Sequence, residues 1–205
     1  MLKDVYYQLL SQYTPDADFA ARLWQEIALA HSAKGRHYHT LTHLEHLYHE
    51  LEAVRESIAD WDTLLFTLFY HDFVYNTLRQ DNEEESARVA TELLTMLGVP
   101  EKNVARCVGQ ILATKQHQFS ADPDTNLFTD ADLSILGAPW ERYSAYAAEI
   151  RREYAIYPDL LYKPGRRKVL QHFLAMDSIY KTPHFKEQYE QQARRNLQQE
   201  LTALG

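Results

Sequence analysis

The chain is expected to be all-α, a helical bundle. Only 6 glycines and 7 prolines occur in 205 residues, and the prolines fall mostly between periodic apolar segments. β-branched alternation is scarce, so no sheet is expected. Hydrophobic residues make up 45%, enough to bury a core and too many for a disordered chain.

The helices are expected in the following order. The start, MLKDVYYQLLSQY, is amphipathic and contains Asp4. It lacks the apolar stretch and small-residue cleavage site of a signal peptide. Pro15 precedes a helix from about Ala17 to Ala33. Thr40 is placed to cap the next, which runs to about Ser57. A third spans roughly Trp61 to Asn76, and its apolar run WDTLLFTLFY reads as buried. Asp81 or Asn82 is placed to cap a fourth, whose NEEES start sets acids at the positive helix end. It stops near Gly98-Val99-Pro100. A fifth runs from about Glu101 to His117, and SADPDTN is a loop. A short helix carries Asp130 and Asp132. Pro139 opens another that ends before Pro158, and helices from about Gly165 to Tyr180 and His184 to Ala203 finish the chain. There is no internal repeat. The length fits one domain, 1–205, with the C-terminal helices from about 139 packing as an annex.

The formal charge of −8 argues against stable nucleic-acid binding and against an acidic membrane surface. The longest apolar run, around Leu64 to Tyr70, falls short of the ~18 to 20 residues a bilayer crossing needs. Cys107 is the only cysteine, so no intramolecular disulfide can form, which fits a reducing cytoplasm. Its neighbours VARCVGQIL mark it as a core thiol.

The chemistry concentrates in three segments. His71-Asp72 ends the apolar run, where a polar pair is costly unless satisfied. Upstream, YHTLTH holds His39 and His43 four residues apart, on one face if both are helical. Downstream, TDADLSILG holds Asp130 and Asp132. Two imidazoles and two carboxylates can hold one divalent metal and leave positions open for water. Mixed nitrogen and oxygen donors suit Mn, Fe, Co, Ni or Zn, with Mg also compatible, better than Ca. The plain alternative is a His-Asp hydrogen-bonded pair that only stabilises the core. Asp130 and Asp132 are two apart and cannot point the same way from a helix. Whichever is not a ligand can cap the helix or hold a water.

The order His, His-Asp, Asp resembles the HD-domain metal-dependent phosphohydrolase superfamily. Tyr38-His39-Thr40-Leu41-Thr42-His43 is similar to the Tyr-His-Asn-x-x-His start of cyclic nucleotide phosphodiesterases, and Ala131-Asp132-Leu133-Ser134 to the Ala-Asp-Leu-Ser carrying their last metal aspartate. The resemblance implies His43, His71, Asp72 and Asp132 as metal ligands, with Asp132 preferred to Asp130. It implies His39 as the general acid for the leaving oxygen. RHYHTLTHLEHLY, FYHDFVYN, DNEEESA, ILATKQH, TDADLSILG and ARRNLQQEL also resemble a group of predicted HD phosphohydrolases of similar length and unknown substrate. Where many HD proteins have Ile-Gly-Lys after the His-Asp pair, this chain has Phe73-Val74-Tyr75, so a basic phosphate contact is absent there. The glutamine-centred purine pocket of the cyclic nucleotide enzymes has no counterpart.

Further candidates follow. His117, at the end of a helix in ATKQH, is a catalytic candidate or a helix cap. With Glu83 it is also a candidate ligand of a second ion. Arg36 and Lys115 are candidates to hold phosphate. Glu83 and Glu84 either orient water or offset a helix dipole. His37, His46 and His49 read as surface or packing residues. Tyr38, Tyr70 and Tyr75 flank the proposed ligands and can stack a base or pack as core. The expected function is metal-dependent hydrolysis of a small phosphate ester, a nucleotide or another small phosphorylated metabolite. The alternatives are a regulatory protein that binds a nucleotide without turnover, and a di-iron HD-type oxidase. An oligomer is compatible with the sequence.

Overall fold

The computed structural model describes residues 1–204. It is all-helical, with ten α-helices, two short 3-10 turns and no strand among the described residues. None of these helices is long and apolar enough to cross a membrane. The chain divides into two compact units, residues 1–129 and the residues from Asp130 on.

The first unit is built around α4. Its helices are α1 (Leu2–Leu10), α2 (Ala17–His31), α3 (Leu41–Ala53), α4 (Trp61–Tyr70), α5 (Asn82–Met96) and α6 (Glu101–Ala113). The helix α4 packs against α1, α3, α5 and α6. Every residue from Thr63 to Tyr70 is buried, as an all-round apolar helix requires. Asp16 starts α2 by accepting from Phe19 N at 2.8 Å, and Asp60 starts α4 by accepting from Thr63 N at 3.1 Å. Thr40 and Asp81 stand at the N-caps of α3 and α5 but make no side-chain cap. The Thr40 hydroxyl donates to Tyr38 O, and Arg79 holds the Asp81 carboxylate.

Several helices end earlier than expected, for reasons visible only in three dimensions. The helix α4 stops at Tyr70, not near Asn76. Asp72 O, which a longer helix would pair with Asn76 N, accepts instead from Arg36 Nη1 at 2.8 Å. Asn76 N goes to Asn82 Oδ1 at 3.0 Å. The α6 helix stops at Ala113 because His117 turns left-handed, with φ 54°. A 3-10 turn at Arg55–Ser57 follows α3. Part of the expected SADPDTN loop is helical: α7 (Pro123–Asp132) begins at Pro123, and Asp122 accepts from Thr125 N and Oγ1.

Beyond α7 come a 3-10 turn at Leu133–Gly137, α8 (Trp140–Glu153), α9 (Asp159–Ala175) and α10 (Pro183–Ala203). The α9 helix spans 159–175, not 165–180, and tolerates Pro164 in its second turn. The α10 helix packs on α9 and on the 3-10 turn. Gly137 must be glycine there, since an added Cβ would stand 2.5 Å from Tyr189 Cβ. Buried Arg166 binds Glu200 through Nε and Nη2 at 2.8 and 2.9 Å, and Tyr143 OH donates to the same carboxylate. This network joins α8, α9 and α10.

Candidate metal centre

Two chain segments bring the donors of the first unit together. His43 lies in the first turn of α3 and is 3% exposed; His71 caps the end of α4 and is 2% exposed. His71 Nδ1 is 3.0 Å from Leu68 O. A carbonyl only accepts, so Nδ1 carries a proton, and in its neutral form the ring presents the Nε2 lone pair. That arrangement is the usual orientation of a metal-binding histidine. His71 Nε2 faces His43 Nε2 at 3.3 Å. Asp72 Oδ2 stands 3.1 Å from His71 Nε2, 3.7 Å from His43 Nε2 and 3.9 Å from His39 Nε2.

These separations have the right size for one coordination sphere. Donors ~2.1 Å from a common ion lie ~3.0 Å apart at a right angle and ~3.4 Å apart at the tetrahedral angle. The Phe128 ring of α7 packs edge-on against His71 at 5.4 Å. Asp132 follows Phe128 by four residues on the same unbroken helix, so it leaves α7 on the same face. His43, His71 and Asp132 each offer one ligand atom, and these atoms all lie within 4.8 Å of one another. This group could hold a metal ion.

Asp130 has another task. It is fully buried, and its carboxylate accepts from Lys181 N, Thr182 N and Thr182 Oγ1, between 2.7 and 3.0 Å. It therefore neither caps its own helix nor belongs to the donor group. It holds the chain entering α10. Lys181 Nζ stands 3.2 Å from Asp130 Oδ1 with its side chain only 6% exposed. Burial pushes this ammonium pKa down, and Asp130 and Asp132 oppose the shift. No sequence signal distinguishes Lys181 from a surface lysine.

His39 departs from expectation. It precedes Thr40, the N-cap, so it is not on α3 and shares no helix face with His43. Its ring packs against Tyr75 at 4.2 Å and 31°, and edge-on to Tyr38 at 5.1 Å. Tyr70 turns away from this packing and hydrogen-bonds Tyr6 OH at 2.7 Å, in the core. Arg36 donates to three backbone carbonyls, those of His39, Asp72 and Phe73. Lys115 donates to Glu84 Oε1 at 2.6 Å and Gln80 O at 2.7 Å, with Glu83 at 3.9 Å. Glu83 and Glu84 thus both answer a lysine. His117 ends α6 in the left-handed region.

The electrostatics of the centre favour charge separation. Burial pushes the Asp72 carboxyl up, but the protonated forms of His71, His39 and His43 outweigh it and hold it well below the usual carboxylate range. His31, 1% exposed at the end of α2, donates Nδ1–H to Ile27 O at 3.0 Å. Burial, reinforced by the charge of Arg36, pushes its pKa down to about 3. A cleft of about 660 Å³ elsewhere in this unit is lined by Asp60, Asn103, Arg106 and Asp122 and includes none of the metal-donor residues. Asp60 and Asp122 cap helix starts, and Asp124 accepts from Ala59 N and Asp60 N, so this acidic group has structural work.

No family model, curated protein or solved structure matches this chain.

Proposed function

We propose that this chain is a metal-dependent phosphohydrolase acting on a small phosphate ester, a nucleotide or another small phosphorylated metabolite. The observation that carries the reading is the convergence of the His43 and His71 imidazoles with Asp132, the donor atoms all within 4.8 Å. The likeness of the ordered His, His-Asp and Asp motifs to the HD-domain superfamily supports the same class.

His43, His71 and Asp132 would hold the ion, with Asp72 completing a set of two nitrogens and two carboxylates. A divalent ion bound there supplies a Lewis acid for a phosphoryl oxygen and acidifies water. The protein's share is orientation and proton transfer. The Leu68 carbonyl fixes the His71 tautomer. Hydrolysis adds a water oxygen to phosphorus and breaks the ester P–O bond, and the leaving oxygen takes a proton. His39, 3.9 Å from Asp72 Oδ2 and packed on Tyr75, would be the imidazole that gives that proton. Tyr75, partly exposed beside His39, would supply an aromatic face suited to a base or sugar.

The test is elemental analysis of wild type and Asp72→Ala, purified side by side without chelator, followed by a phosphate-release screen with the metal found. The expected result is about one transition metal per wild-type chain, lost in the variant, because the substitution removes one carboxylate of the donor set. No metal in either protein after reconstitution would sink the reading.

A further inference from the structure

Arg36 joins the two segments that carry the donors. Its Nη1 donates to His39 O at 3.1 Å and to Asp72 O at 2.8 Å, and its Nη2 to Phe73 O at 2.9 Å. Its Cζ also lies 5.3 Å from the centre of the Tyr75 ring, the ring on which His39 packs. One bonded segment runs into α3 with His39 and His43. The other leaves α4 with His71 and Asp72. They are 36 residues apart between Arg36 and Asp72.

A guanidinium presents its donors as a rigid planar fork. Three carbonyl oxygens gathered on one such fork leave little freedom to the segments behind them. A metal site needs that restriction, because donor distances must hold to about 0.2 Å. The same hydrogen bonds commit three of the five guanidinium N–H donors, both of those on Nη1 among them, to backbone carbonyls. We infer that Arg36 is a positioning residue that sets the spacing of the metal donors, and not the phosphate contact its charge first indicates. The inference rests on the metal-site reading above.

The experiment measures Zn²⁺ affinity by competition with a chromogenic chelator for wild type, Arg36→Lys and Arg36→Met. Circular dichroism confirms that each is folded. Inorganic phosphate affinity is then measured on the zinc-saturated proteins by calorimetry. Lysine keeps the charge and much of the volume but lacks the fork, so it separates geometry from charge. Both variants are expected to bind zinc about 10- to 100-fold more weakly, the usual effect of removing a group that orients ligands. Phosphate affinity of the saturated forms should stay within about twofold, since a positioning role touches no phosphate. Should the methionine variant not fold, the lysine variant decides. Unchanged zinc affinity in Arg36→Lys with wild type binding normally overturns this inference and leaves the metal-site reading standing. Wild type that binds no zinc overturns both.

Discussion

His43 Nε2 and His71 Nε2 face each other at 3.3 Å across 28 residues of chain. The Leu68 carbonyl orients the His71 ring, and Asp72 Oδ2 stands within 3.1 and 3.7 Å of the two nitrogens. The two nitrogens either share a proton or would share a cation, and a divalent ion would engage the carboxylate oxygen as well.

Metal should therefore stabilise the protein. An ion bound only by the native state at 100 times its dissociation constant contributes about 2.7 kcal/mol. For a chain of this length that is a rise of about 5 to 10 °C in Tm. Differential scanning calorimetry with zinc and with excess chelator checks it. His71→Gln should lose the difference, and an equal shift in that variant would place the ion elsewhere.

His31 should make stability depend on pH. Its folded pKa, about 3, lies below the ordinary 6.5, so the unfolded chain binds the proton more readily. The stability is fully present above pH 6.5 and is lost as pH falls towards about 3. At 1.36 kcal/mol per pH unit the loss from pH 7 to pH 5 is about 2 kcal/mol. Urea unfolding at both pH values, compared with His31→Gln, isolates this group; equal slopes in the two proteins would contradict the assignment.

In the second unit, Glu200→Gln should destabilise by about 3 to 5 kcal/mol, because it leaves the Arg166 guanidinium buried without its counter-charge. Arg166→Met combined with Glu200→Leu should cost clearly less than the sum of the single changes. Denaturant unfolding of the four proteins gives the coupling. Strict additivity would mean that the pair does not act as a unit.

Cys107 should be inert. It is fully buried, and burial pushes its thiol up to about 12, with Thr67 Oγ1 at 3.4 Å. Ellman's reagent should label native protein at least ~100-fold more slowly than unfolded protein, because only the exposed thiolate reacts. Rapid labelling of the native form would remove Cys107 from the core.

The sequence carried the helical class and most helix starts. Asp16 and Asp60 cap as local chemistry dictates, and WDTLLFTLFY is buried as its composition requires. Helix ends were less legible. The stop after Tyr70 depends on Arg36, which takes Asp72 O, on Ser86, which accepts from Val74 N, and on Asn82, which accepts from Asn76 N. The choice between the two acids of α7 needed both structure and motif. Asp132 joins His43 and His71, while Asp130 turns to Lys181 and Thr182.

By itself, then, the chain's pattern of apolar residues, caps and breakers determined an all-helical protein and which residue types could bind a metal. Those are local properties, set by side-chain periodicity and backbone preference. Tertiary structure alone decided that Nε2 of His71 meets Nε2 of His43, that His39 stands off the helix, and that Arg36 and Lys115 already hold protein groups. Such pairings join residues tens of positions apart. They follow from how the helices pack, which no local preference specifies.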